Sequence, residues 1–173
     1  MNKTHVRIAL GCCLLAAAVL SWAQAVRKPG LWEMTSTTTW QKSPMPPGMT
    51  LPPGAANPFA PTTRTTEVCL TREMIDKFGV PVTTPAQSCT ISNVVLKSDS
   101  MTAEMTCTGK MNMHATMESS WPSGNTAHGK IHVTGTMQMG PNASQVEYTV
   151  ESTSTYKGAD CGSVKPLPMP ATK

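Results

Sequence analysis

Three features of the sequence predict a mainly β fold, an antiparallel meander closing into a small or incomplete β-barrel. Apolar residues recur at every second position after Cys89, polar turns separate those runs at hairpin spacing, and the cross-strand registers keep the apolar residues on one face. A two-sheet sandwich is the alternative way of hiding such a face. One short helix, at about 71–78, interrupts the β pattern.

The first residues stand outside the fold. Lys3 and Arg7 precede an apolar run from Ile8 to Leu20, and Ala23-Gln24-Ala25 supplies a small-residue cleavage box, so residues 1–25 read as a secretory signal peptide. The run is too short for a transmembrane helix, which needs about 20 apolar residues. Lipidation at Cys12 is disfavoured because only Ile8 to Gly11 precede it. Cleavage near Ala25 predicts a periplasmic or secreted protein, with one β-rich domain over 26–161 and a flexible C-terminal tail over 162–173.

Within that domain, "GLWEMTSTTTW" sets Trp32, Met34, Thr38 and Trp40 on one side of a first strand. The proline-dense segment 41–61 cannot hold a ladder, because proline lacks the amide donor, and is expected as a long loop. "RTTEVCL" returns to β character. Thr71 then offers a helix N-cap with Glu73 in the first turn, and Gly79 and Pro81 end that helix. From Cys89 onward the expected strands are 89–96, 100–107, 111–121, 127–139 and 144–157.

Register arithmetic tests these assignments. A turn centred on Ser98 puts Cys89 opposite Cys107, Ile91 opposite Met105, Asn93 opposite Ala103 and Val95 opposite Met101. A turn centred on Gly109 puts Cys107 opposite Met111, Met105 opposite Met113 and Met101 opposite Met117. Loops at 122–126 and 140–143 continue the same face, pairing Met117 with Ile131, Ala115 with Val133, Met137 with Val146 and Gly135 with Tyr148. The expected core or cavity lining is therefore Met101, Met105, Met113, Met117, Ile131, Val133, Met137 and Tyr148. Thr102, Glu104, Thr116, Glu118, Lys130 and Glu151 fall on the wet face.

The registers also choose among the cysteines. Four remain after the signal, an even number that fits two disulfides in an exported chain, while their wide spacing is wrong for zinc. Cys89 and Cys107 fall directly opposite, which leaves Cys69 to meet Cys161.

Several motifs now align. "KPGLWE" over 28–33, the segment Thr62, Thr63, Arg64, Val68, Cys69, Leu70 and Thr71, the hairpin end "MTCTG" over 105–109, and Gly158-Ala159-Asp160-Cys161 occur in this order. In these features the chain resembles the bacterial domain-of-unknown-function 3617 family of small exported proteins, over most of 28–161. Arg72 stands where members often have proline. The resemblance implies an exported β-rich domain and brings no known activity, catalytic residue or cofactor.

The chemistry is sparse. With Lys3 and Arg7 removed, 12 basic side chains face 10 acidic ones with no basic run, which argues against nucleic acid. "MNMHATM" resembles a cuprous box, and Met105, Met113 and Met117 are the alternative metal set. His114, however, has the opposite strand parity, and methionine is also a flexible core filler. His128 and His132 lie too far apart along a strand, at about 13 Å, to share a metal. Glu33 is the one carboxylate of interest, expected to face outward. No nucleophile elbow or phosphate loop occurs. The expectation is a monomeric, non-enzymatic periplasmic protein without a cofactor, with an apolar Met-lined interior for a small lipophilic ligand. An envelope protein docking on the Pro-rich loop, or a cuprous ion, is the alternative partner.

Overall fold

The computed structural model describes residues 27–45, 51–79, 89–109, 111–139 and 142–169. The expected signal peptide, residues 46–50 of the Pro-rich segment, Pro81 and residues 170–173 of the expected tail lie outside them. Seven strands and one helix follow in the order β1 (Gly30–Lys42), β2 (Thr62–Leu70), α1 (Arg72–Phe78), β3 (Cys89–Leu96), β4 (Ser100–Cys107), β5 (Met111–Ser123), β6 (Thr126–Met139) and β7 (Asn142–Gly158). They form one antiparallel sheet in the order β2-β1-β7-β6-β5-β4-β3.

The sheet is not closed, which corrects the expected barrel, and it is single, which removes the sandwich. The physical reason lies at its edges. In β2, Thr62–Glu67 are exposed on both faces, so that stretch offers β3 no apolar side chain to pack against. In β3 a bulge between Ser92 and Val95 breaks the ladder at Asn93, whose φ of 53° is one of the left-handed conformations asparagine tolerates. Val95 and Leu96 are turned out to solvent beyond it.

The dry face is covered instead by the segments after β2 and β7. Thr71 caps α1, its side chain accepting from the Met74 amide at 3.1 Å, and Gly79 ends the helix at φ 65°. The helix inserts Met74, Ile75 and Phe78 into the cluster that holds Trp32, Leu70, Ile91, Met101, Met105, Met113 and Met117. After β7, Pro166 bridges Cys69, and Leu167 and Met169 pack on the same cluster. The Pro-rich segment is tied down at Phe59, which meets the Trp40 ring edge-on at 5.3 Å, and Trp40 in turn lies 4.7 Å from Tyr148.

The strand faces agree with the sequence pattern outside the β3 bulge, while three registers differ in detail. Cys89–Cys107 and Ile91–Met105 pair as expected, but the bulge puts Val95 opposite Thr102 and Leu96 opposite Met101, which takes Val95 off the dry face. The β4–β5 turn is centred one residue later than Gly109, so Cys107 meets Met113, Met105 meets Ala115 and Ala103 meets Met117. Asn112 accepts from the Gly109 amide at 3.2 Å and holds that longer turn. The β5–β6 register is as expected, with Met117 opposite Ile131. In the last hairpin the strands extend to Met139 and Asn142, so Tyr148 faces Val133 and Gly135 faces Val146. The two turn differences each shift the pairing by two positions, which leaves the side chains of those strands on their original faces.

Both disulfides are formed: Cys89–Cys107 across β3 and β4, with Cα atoms 4.0 Å apart, and Cys69–Cys161, with Cα atoms 5.6 Å apart. They fit an exported chain. Among the described residues no helix is long and apolar enough to cross a membrane.

Candidate functional site

The inner face is not packed solid. A cavity of about 270 Å³ lies against the middle of β1, β7, β6, β5 and β4. The registers order its lining in rows along the strands. At one end stand Met34, Ser154 and Ala127; next come Ser36, Ser152, Gly129, Ser119 and Met101; beyond them lie Val150, Ile131 and Met117, and then Met105. One end thus carries all the serine hydroxyls, with Met34 and Met101 among them, and the other carries only thioethers and branched aliphatic groups. At Gly129 the backbone must run close, because a Cβ there would lie 2.7 Å from Ser152 Oγ.

Arg27 closes the hydroxyl end. Its guanidinium stacks on the Trp32 ring at 4.2 Å from the centroid, and Nη1 donates to the Gly79 carbonyl at 2.8 Å. The residue is 1% exposed and lines the cavity. Nε and Nη2 are buried with no hydrogen-bond partner. Burial lowers its pKa to about 10, since the charged form is the one that loses hydration. Trp121 completes this end: its ring lies against Gly79, and its Nε1 donates to the Ser98 carbonyl at 2.8 Å.

The sequence-predicted lining divides in two. Met101, Met105, Met117 and Ile131 line the cavity. Met113 and Val133 are buried without bordering it, and Met137 and Tyr148 are half-buried farther along the face. As a metal set, Met113 and Met117 flank Ala115 opposite Met105, while His114 is exposed on the other face beside Thr106 and Thr134. Among the described residues no three His, Cys, Asp or Glu side chains converge.

The wet face carries a broad open groove of about 730 Å³ between Thr35 and Thr37 on one side and Thr102 and Glu118 on the other. Its charges are exposed and include a Lys130–Glu151 pair at 3.6 Å, so it has the character of solvated surface. Glu33 faces the same way and pairs with Lys157 at 3.5 Å. His132 lies 3.6 Å from Glu147.

Sequence reasoning missed Arg27 and the serines. Parity could have found the latter, since Ser36 follows Met34, Ser119 follows Met117, and Ser152 and Ser154 follow Val150, each at steps of two. No comparable signal marks Arg27, whose burial depends on Trp32 and on Gly79, 52 residues away.

No curated protein and no solved structure matches the chain. The family described as protein of unknown function (DUF3617) matches residues 27–161, and the chain belongs to that family.

Proposed function

We propose that this chain is an exported, non-enzymatic binding protein that holds a small lipophilic ligand against the Met-lined inner face of its sheet. The supporting observation is the cavity itself, a space of about 270 Å³ edged by Met34, Met101, Met105, Met117, Ile131 and Val150. Natural interiors pack to the density of organic crystals, so a partly open hollow of this size in an apolar face leaves contacts unmade that a ligand would supply. Thioether side chains suit such a site because they adapt to irregular shapes.

The chain from Val26 onward, titrated with the neutral dye N-phenylnaphthylamine, should show saturable blue-shifted fluorescence. Ala127 is 4% exposed and borders the cavity, so Ala127→Leu should remove most of that signal by filling the space. A signal that A127L leaves intact places the dye elsewhere and refutes the proposal. So does the absence of any saturable signal.

A further inference from the structure

We infer that Arg27 is the anion-binding end of this cavity, so that the ligand is an amphiphile with an anionic head and an alkyl tail. The inference rests on the cavity reading above and specifies its ligand class.

Arg27 carries an unbalanced charge. A guanidinium at 1% exposure has lost its hydration and should be compensated by a carboxylate and a full set of hydrogen bonds. Arg27 has one acceptor, the Gly79 carbonyl, and an aromatic face. All ten acidic side chains of the chain lie among the described residues, and none pairs with it. The unpartnered donors are Nε and Nη2, which share one edge of the planar fork. That edge carries two parallel N–H groups, the arrangement that takes a carboxylate or phosphate in bidentate fashion once the side chain turns it toward the cavity that Arg27 lines.

The lining then supplies polarity in the right order. Ser154, Ser36, Ser152 and Ser119 follow Arg27 along the cavity with Met34 and Met101 beside them, and only the apolar Val150, Ile131, Met117 and Met105 lie beyond. From Ser154 to Val150 is four residues along β7, about 13 Å of strand, enough for an alkyl chain of moderate length. Fatty carboxylates and alkyl phosphates share this head-and-tail chemistry.

Octanoate, octyl phosphate and octanol titrated calorimetrically into the chain from Val26 onward separate the cases. A bond from a buried donor to a charged acceptor predicts that at least one anion binds tenfold or more tighter than octanol, and the better anion identifies the head group. Arg27→Gln should bring the anion-to-octanol affinity ratio down to within about twofold of one, whatever it does to octanol binding itself. If octanol binds and neither anion is preferred, the inference fails and the cavity reading stands; if none of the three binds, both fail. Arg27→Met provides the same comparison should R27Q not fold, and the wild-type preference is decisive without either variant. Deletion of 170–173 checks for a competing terminal carboxylate. If the preference appears only after that deletion, the chain's own end fills the site and the inference is overturned.

Discussion

Gly79 joins three parts of the structure, and its replacement by alanine gives the sharpest energetic forecast. The residue sits at φ 65°, where an L side chain costs about 1–2 kcal/mol. A Cβ there would also collide with the Trp121 ring, which Ser98 fixes through the indole N–H. Forcing a methyl group into such a contact typically costs about 1–3 kcal/mol. Gly162 is the internal control: its φ is 56°, and a Cβ would meet nothing within 4 Å, so Gly162→Ala carries the backbone cost alone. Urea titrations should therefore show a loss of about 1–2 kcal/mol for G162A and about 2–5 kcal/mol for G79A. Trp121→Leu combined with G79A should recover the steric part, leaving a coupling energy of about 1–3 kcal/mol in the double-mutant cycle. Equal losses for the two glycines, or zero coupling with Trp121, would refute the packing described around Arg27.

Further outcomes follow from the same contacts. Gly135→Ala should destabilise by about 2 kcal/mol or more in chemical denaturation, because its Cβ would run into the Asn112 carbonyl oxygen, which belongs to backbone and cannot swing aside. Replacing Cys69 and Cys161 together by alanine releases a constraint spanning 92 residues, and the chain-entropy relation predicts a loss of about 4–5 kcal/mol in midpoint-derived stability. Met113→Leu with Met117→Leu conserves volume in the core and should cost less than about 3 kcal/mol in total, measured by thermal melting. If that double variant instead lost a cuprous ion that the wild type retains in native mass spectra, the thioethers would be ligands rather than lining.

Much of the sheet was legible because strand parity is robust. The β4–β5 and β6–β7 turns each lie one residue from their expected centres, which moves every pair by two positions and changes no side chain's face. The Cys89–Cys107 disulfide followed from the same register, since that pair lies ahead of the bulge, and Cys69–Cys161 followed by elimination. Closure was not legible. It depended on Asn93 adopting a left-handed conformation and on β2 exposing Thr62–Glu67 on both faces, features that no alternation rule encodes. The site was half legible: Met101, Met105, Met117 and Ile131 were placed on the correct face, but whether that face is filled is a matter of volumes rather than periodicity. Arg27 escaped because an arginine beside Lys28 at the start of a domain reads as solvated, and only the Trp32 ring and the Gly79 carbonyl draw it inside.

The most direct test of the cavity as an amphiphile site is the methyl spectrum of protein labelled with ¹³C at its methionine ε-carbons, recorded with and without octanoate. The methyl signals of Met34, Met101, Met105 and Met117 should shift on titration, while those of Met111 and Met137, which do not border the cavity, should stay. Shifts confined to Met111 and Met137, or none at saturating octanoate, would contradict the account.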